Sequence, residues 1–204
     1  MKCEDVAGLV LAGGLARRMG GRHKAFLELC GRPLLGHVVE RLSPQVARVA
    51  ISANEQAERM QGLAEIVLPD AIPGHAGPLA GILAGLEWLR RAHPQTPWLL
   101  SVAVDTPFFP RDLCTRLRQA VEKGAEMAVA CSAGRAHPVF GLWPVSAADT
   151  LREAMENEEL RKIDRFTARY RLAEAVFDGQ DFDPFFNINT PEDLTRARQL
   201  CTEV

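Results

Sequence analysis

The chain has 204 residues, 47% of them hydrophobic and 25% charged, with a formal net charge of −2. Those proportions belong to a folded chain of one domain's size with a substantial core, and they exclude a disordered polymer. The near balance of charge argues against nucleic acid as the main partner, since such binders carry a basic excess.

The first residues, "MKCEDVAGLVLAGGLA", imitate a secretory signal, but Glu4 and Asp5 stand where a signal is positive and Arg17 and Arg18 follow at once. A buried strand over 6–12 ("VAGLVLA") explains the apolar run better. A helix is predicted over 33–42, where Leu34, Leu35, Val38, Val39 and Leu42 share a face behind a first-turn proline. Next come a strand over 46–52, a short helix over 55–64, a strand over 65–69 and a helix over 77–92. A fourth buried strand, 98–104, ends at Asp105. A helix over 110–124 begins with proline and ends with glycine. Residues 125–133 and 135–144 read as two further strands, and 145–157 and 190–200 as capped helices.

Alternating strands and helices with buried strands predict an α/β fold. Its mostly parallel central sheet has helices on both faces and forms one domain over 1–204. Cys3, Cys30, Cys114, Cys131 and Cys201 are odd in number and never spaced as CxxC, so neither a disulfide framework nor a zinc site is expected. Scattered free thiols fit a reducing cytoplasm. No apolar run nears the roughly 18 residues that span a bilayer, so no membrane partner is expected.

In open α/β sheets ligands gather beyond the carboxyl ends of the strands. Three segments fall at such ends: "AGGLARRMGGRHK" (12–24), "DAIPGHAGPLAGI" (70–82) and "DTPFF" (105–109). In the first, Gly13 and Gly14 let backbone N–H groups approach an anion, and Arg17, Arg18 and Lys24 supply cations suited to a triphosphate. Taken alone, the glycine pair also fits a solvated surface loop. The dinucleotide fingerprint GxGxxG is missing, and Lys24 is followed by Ala25 rather than the Ser or Thr of a Walker sequence. Asp105 suits either a Mg²⁺ ligand facing phosphate or a turn. Asn54 and Asp70, each after a strand, are turn residues or readers of a polar ligand. The glycine-rich run 74–82 opens a helix whose N–H groups face an anion or a base edge, or simply make a turn. His37 and His93 read as helix-surface residues; His137, in "RAHPVF", either touches substrate or, as is commoner, is a strand histidine satisfied by backbone. No nucleophilic Ser-His-Asp or Cys-His set occurs.

Together, "LAGGLARRMGG..K..LEL.GRPLL", "ISAN", "D......GPLAGI..GL", "DTPFFP.DL", "HPVF.L" and "NINTPEDL" resemble the molybdenum cofactor guanylyltransferases over nearly the whole chain. The resemblance implies a Rossmann-like nucleotide-diphospho-sugar-transferase fold. It implies the reaction of GTP with Mo-molybdopterin to give the guanine dinucleotide cofactor and pyrophosphate. It puts Leu11, Ala12, Gly13 and Gly14 at the GTP site, with Arg18 and Lys24 on the phosphates. Asn54, Asp70 and the 77–81 loop, with Gly77 and Gly81, contact guanosine. Asp105 binds GTP and Mg²⁺ and joins Arg18 and Lys24 in catalysis, while Asn187 and Asn189 lie on the pterin side. Molybdoenzyme chaperones or molybdenum-insertion proteins are the implied protein partners. One departure stands out: His23 occupies the place, before the motif lysine, where the family has aspartate. The rival readings are a cytidylyltransferase acting on molybdopterin, a sugar-1-phosphate nucleotidyltransferase, and a nucleotide-binding carrier without catalysis.

Overall fold

Residues 2–13, 15, 16, 22–72, 74, 77–178 and 182–203 are described by the structure, a computed structural model. Strand β1 (Cys3–Leu11) takes the centre of the main sheet. Its side chains alternate between two cores. Val6 and Val10 pack with Leu35, Val38 and Leu117 on one face, and Ala7 and Leu9 with Leu79, Ile82 and Leu151 on the other. From Val6 onward the strand is covered on both faces and has no place for polar residues, which is why that run is apolar.

The order continues through α1 (Leu34–Leu42), β2 (Val46–Ser52), β3 (Ile66–Leu68), α2 (Pro78–Ala92) and β4 (Trp98–Ala103). Then come α3 (Leu113–Glu122), β5 (Met127–Ser132), β6 (Arg135–Pro144), α4 (Ala148–Asn157), α5 (Ile163–Thr167), β7 (Leu172–Val176) and α6 (Pro191–Glu203). Among the described residues the sheet has seven strands in the order β7-β5-β6-β4-β1-β2-β3. Only β6 runs against its neighbours, β4 and β5; the other pairings are parallel. The expected α/β architecture is thus observed, with helices on both faces.

Two local features shape the edge where the parallel strands end. First, β5 turns into β6 through Ala133 and Gly134, both at positive φ (48° and 71°), as a two-residue hairpin turn requires. The reversal brings the beginning of β6 to the same edge as the ends of β1, β2 and β4. Second, α2 lies very close to the sheet. A Cβ on Gly81 would sit 2.5 Å from Ser52 Oγ, and one on Gly85 would sit 2.8 Å from Leu99 Cδ2. These glycines, one helical turn apart, let the start of α2 descend beside the end of β2.

One predicted element changes and two more are present. The helix predicted over 55–64 is only a 3₁₀ turn, Ala57–Met60; Gln56 before it is left-handed, and Met60 alone is buried. A single buried side chain cannot anchor a longer helix. Neither α5 nor β7 was expected. β7 is an edge strand whose Leu172 and Val176 are exposed, so it lacks the apolar signature of the inner strands. Among the described residues, no helix is long and apolar enough to cross a membrane.

Candidate active site

A cavity of about 580 Å³ opens at the carboxyl edge of the sheet. Its floor is Leu11, Gly13, Ala103 and Val104. One flank carries Ser52, Asn54, Asp70, Gly77, Pro78 and Gly81; the other carries residues 135–140 and Asn187. Lys24 and Asp105 stand between the flanks.

A 3₁₀ turn, Lys24–Phe26, presents Lys24, and Asp105 follows β4 directly. Lys24 Nζ donates to Asp105 Oδ2 at 2.7 Å and also to Asn189 Oδ1. The two side chains are 18% and 16% exposed, so water screens the pair only partly. The coil 187–189 is threaded beside them. Ile188 is fully buried with Leu27, Leu29, Leu34, Phe108 and Ala197, and its N–H donates to the Asp105 carbonyl at 2.8 Å. Successive residues of an extended segment point to opposite sides, so the asparagines on either side of Ile188 turn toward the cleft. Asn187 Oδ1 accepts from the Thr106 hydroxyl at 2.6 Å. A capping box closes the segment: the Thr190 hydroxyl accepts from the Asp193 N–H, and the Asp193 carboxylate accepts from the Asn189 and Thr190 N–H groups.

On the β2–β3 flank, Asn54 and Asp70 clasp each other. Asn54 Nδ2 donates to Asp70 Oδ2, and the Asp70 N–H donates to Asn54 Oδ1, both at 2.8 Å. This reciprocal pair fixes the Asp70 carboxylate in the wall. Gly77 caps α2 with φ 156° and ψ 155°, a region essentially restricted to glycine.

On the β6 flank, Ala130 pairs with His137 but its neighbour Val129 pairs with Gly141, so residues 138–140 bulge out of the ladder. Ser101, the one hydroxyl in the apolar β4, supports the bulge. Its hydroxyl donates to the Val139 carbonyl at 2.6 Å and accepts from Trp143 Nε1 at 2.9 Å. Of the two sequence readings of His137, satisfaction by backbone does not hold, since its ring partner is the Ser132 hydroxyl. It lines the cavity, lies 2.7 Å from the Ser132 hydroxyl and stacks on Phe185 with centroids 4.5 Å apart. Burial pushes its pKa below the ordinary value, and nearby Asp183 opposes the shift.

Of the residues singled out in the sequence, Leu11, Gly13, Lys24, Asn54, Asp70, Gly77, Gly81, Asp105 and Asn187 share this one wall. Asn189 joins it through Lys24. Ala12 does not reach the wall: it is fully buried and its N–H donates to the Ser52 carbonyl at 2.9 Å. Gly14, Arg17 and Arg18 lie outside the described residues. His23 is buried against Phe26, its Nδ1 has no hydrogen-bond partner among the described residues, and burial lowers its pKa. Arg135 on the cavity wall was not anticipated; the hairpin that returns β6 to this edge is the signal that reveals it. All five cysteines are free thiols, and no cluster of three metal-ligating side chains occurs among the described residues.

Residues 8–174 match the model of the MobA-like NTP transferase domain. The molybdenum cofactor guanylyltransferase of Bradyrhizobium sp. (strain ORS 278) is 49% identical over 96% of this chain and 93% of its own. The enzyme of the same name from Rhizobium meliloti (strain 1021) is 47% identical over 93% of this chain and 88% of its own. Molybdopterin-guanine dinucleotide biosynthesis protein A from Archaeoglobus fulgidus superposes with a TM-score of 0.77 at 28% identity, covering 97% of this chain and all of that one. A cytidylyltransferase for 2-C-methyl-D-erythritol 4-phosphate from Thermus thermophilus shares the fold with a TM-score of 0.68 at 21% identity, over 99% of this chain and all of that one.

Proposed function

Because the chain belongs to the MobA-like NTP transferase family, we propose that its cleft binds GTP and transfers GMP to Mo-molybdopterin, releasing pyrophosphate. The chain is a nucleotidyltransferase, and the reading takes 1–204 as one such domain. The observation that carries it is the convergence of Lys24, Asp105 and the Asn54–Asp70 clasp on one cavity.

The Asp70 carboxylate accepts hydrogen bonds and donates none, which suits the adjacent N1–H and N2–H donors of guanine. The pairing edge of cytosine offers only its amino donor there, beside two acceptors. The phosphates run toward Lys24 past Gly13, where the missing side chain permits backbone contact. Arg18 is assigned to the same phosphates.

Mg²⁺ fits the donor set at Asp105. Oδ2 is engaged by Lys24, but Oδ1 makes only a long 3.4 Å contact with the Thr106 hydroxyl. One carboxylate oxygen, completed by phosphate oxygens and water, is a common mode for this ion. When bound, it supplies positive charge against the triphosphate.

In the reaction an oxygen of the acceptor's terminal phosphate forms a bond to the α-phosphorus of GTP as the bond from that phosphorus to the bridging oxygen breaks. Pyrophosphate leaves with the electron pair. A phosphate monoester has its second pKa near 6, so the attacking oxygen is already deprotonated at neutral pH and no protein base is needed. The protein's tasks are positioning and charge stabilisation. Lys24 Nζ offsets charge growing on the α-phosphate, while Asp105 and Asn189 hold that ammonium in place. Asn187 and Asn189 border the pterin side. A reducing cytoplasm suits the unpaired thiols, and the product passes to molybdoenzyme chaperones or molybdenum-insertion proteins.

Thermal-shift titration with GTP, CTP and UTP, each with Mg²⁺, tests the base assignment. GTP is expected to give the largest rise in Tm. A larger rise with CTP transfers the assignment to the cytidylyl reading.

A further inference from the structure

The mechanism leaves the beginning of β6 without a task. Arg135 lines the cavity and is exposed, and its guanidinium has no hydrogen-bonding or carboxylate partner among the described residues. Lys24, by contrast, is already paired with Asp105. His137 lies two residues further along, on the same face of the strand.

The hydrogen bonds around His137 determine where its proton sits. The Ser132 hydroxyl has one hydrogen, which it donates to Asp183 Oδ1 at 2.8 Å. Ser132 Oγ must therefore accept from His137 Nε2 across their 2.7 Å contact. Nε2 carries the proton, which leaves Nδ1 with a lone pair and no partner among the described residues. The Phe185 ring stacked on the imidazole fixes its plane, and the Phe185 N–H donates to the same Asp183 oxygen at 2.9 Å. The cavity therefore presents an unpaired guanidinium and a hydrogen-bond acceptor of fixed orientation, side by side.

In-line displacement decides which reactant they meet. The attacking oxygen must approach the α-phosphorus opposite the leaving pyrophosphate. With guanine on the β2–β3 flank and Lys24 and Asp105 at the reacting phosphate, the β6 flank is left for the acceptor. We propose that Arg135 and His137 are the acceptor-recognising residues: the guanidinium binds an anionic group of a phosphate-bearing acceptor, and His137 Nδ1 accepts a hydrogen bond from an N–H of its heterocycle. Ser132, Asp183 and Phe185 are positioning residues for His137. This assignment rests on the guanylyl-transfer reading above.

The test is steady-state pyrophosphate release at saturating GTP and Mg²⁺ with Mo-molybdopterin varied, for the unmodified protein, Arg135→Ala, Arg135→Lys, His137→Phe and Ser132→Ala. Arg135→Ala is expected to raise the acceptor KM on the order of tenfold while the GTP KM and Tm stay unchanged. Arg135→Lys restores part of the loss, since it keeps the charge without the planar fork. His137→Phe keeps the stacking surface and is expected to raise the acceptor KM several-fold. Ser132→Ala frees the tautomer and raises it less, with kcat nearly unchanged. An unchanged acceptor KM in Arg135→Ala and His137→Phe, or an equal rise in the GTP KM, overturns the assignment while guanylyl transfer stands. If the unmodified protein releases no pyrophosphate from GTP, both readings fall together.

Discussion

On the β2–β3 flank each polar residue stands just beyond the strand that aims it: Asn54 two positions after Ser52, Asp70 two positions after Leu68. Their clasp is closed by two local hydrogen bonds. On the β6 flank, Arg135 and His137 open an antiparallel strand. Their direction depends on a two-residue hairpin, a three-residue bulge propped by Ser101, and the coil carrying Asp183 and Phe185. The first flank is built from its own loops, the second from distant segments brought together by the fold. Substitutions should therefore act locally on the first flank and spread on the second.

The largest effect is expected at the junction of the flanks. Asp105→Ala removes the carboxylate partner of Lys24 Nζ and should lower the rate of pyrophosphate release by on the order of 10²–10³-fold with the fold retained. Equal loss whichever substrate is varied places Asp105 between the flanks; loss confined to one KM assigns it to a single side. Asp70→Asn is next. It replaces a pure acceptor with a group that also donates, and should lower kcat/KM for GTP by roughly ten- to a hundredfold with the acceptor KM unchanged. A change in both constants breaks the claim that this flank acts locally.

Ser101→Ala tests the opposite claim. It leaves Trp143 Nε1 and the bulged Val139 carbonyl without their hydroxyl partner, and should cost about 1–3 kcal/mol in a urea titration. Because the bulge follows His137, the acceptor KM should rise as well. A stability loss with unchanged kinetics would separate the bulge from recognition. The smallest effect concerns pH. Burial lowers the pKa of His23 and of His137 below the ordinary 6.5. The unfolded chain therefore binds protons that the folded chain resists, and this stability, present above about pH 6.5, is lost as pH falls toward the folded values. His23→Phe should make the decline between pH 7 and pH 5 shallower, as measured by denaturant unfolding at each pH.

How far the sequence discloses each flank follows from the same contrast. Val46–Ser52 and Arg135–Pro144 form strands with the predicted bounds, because apolar runs between turn residues register burial directly. The strand-end residues Asn54, Asp70 and Asp105 are legible because a parallel strand points its last residues at the ligand edge. The partners of His137 are not. Ser132 is near in sequence, but Asp183 and Phe185 lie beyond an edge strand, β7, whose exposed residues give no clear period. The bulge is equally hidden, since Pro138 in an apolar run demotes a strand without saying where it bends. Ser101 is a single hydroxyl among the apolar residues of β4, and only the fold shows that it holds the bulge. In the sequence Gly81 belongs to a run that either faces a ligand or makes a turn; the structure adds a packing reason, since any side chain there meets Ser52 and Leu11.

In this cleft a purine triphosphate is gripped at Asp70 and Lys24 and attacked from the β6 side. The most direct test is turnover of the unmodified protein with Mo-molybdopterin, Mg²⁺ and either GTP or CTP, with the dinucleotide product identified by mass spectrometry. Guanine dinucleotide and an equal amount of pyrophosphate are expected from GTP, with little product from CTP. Cytosine dinucleotide as the main product, or binding of GTP without pyrophosphate release, would contradict it.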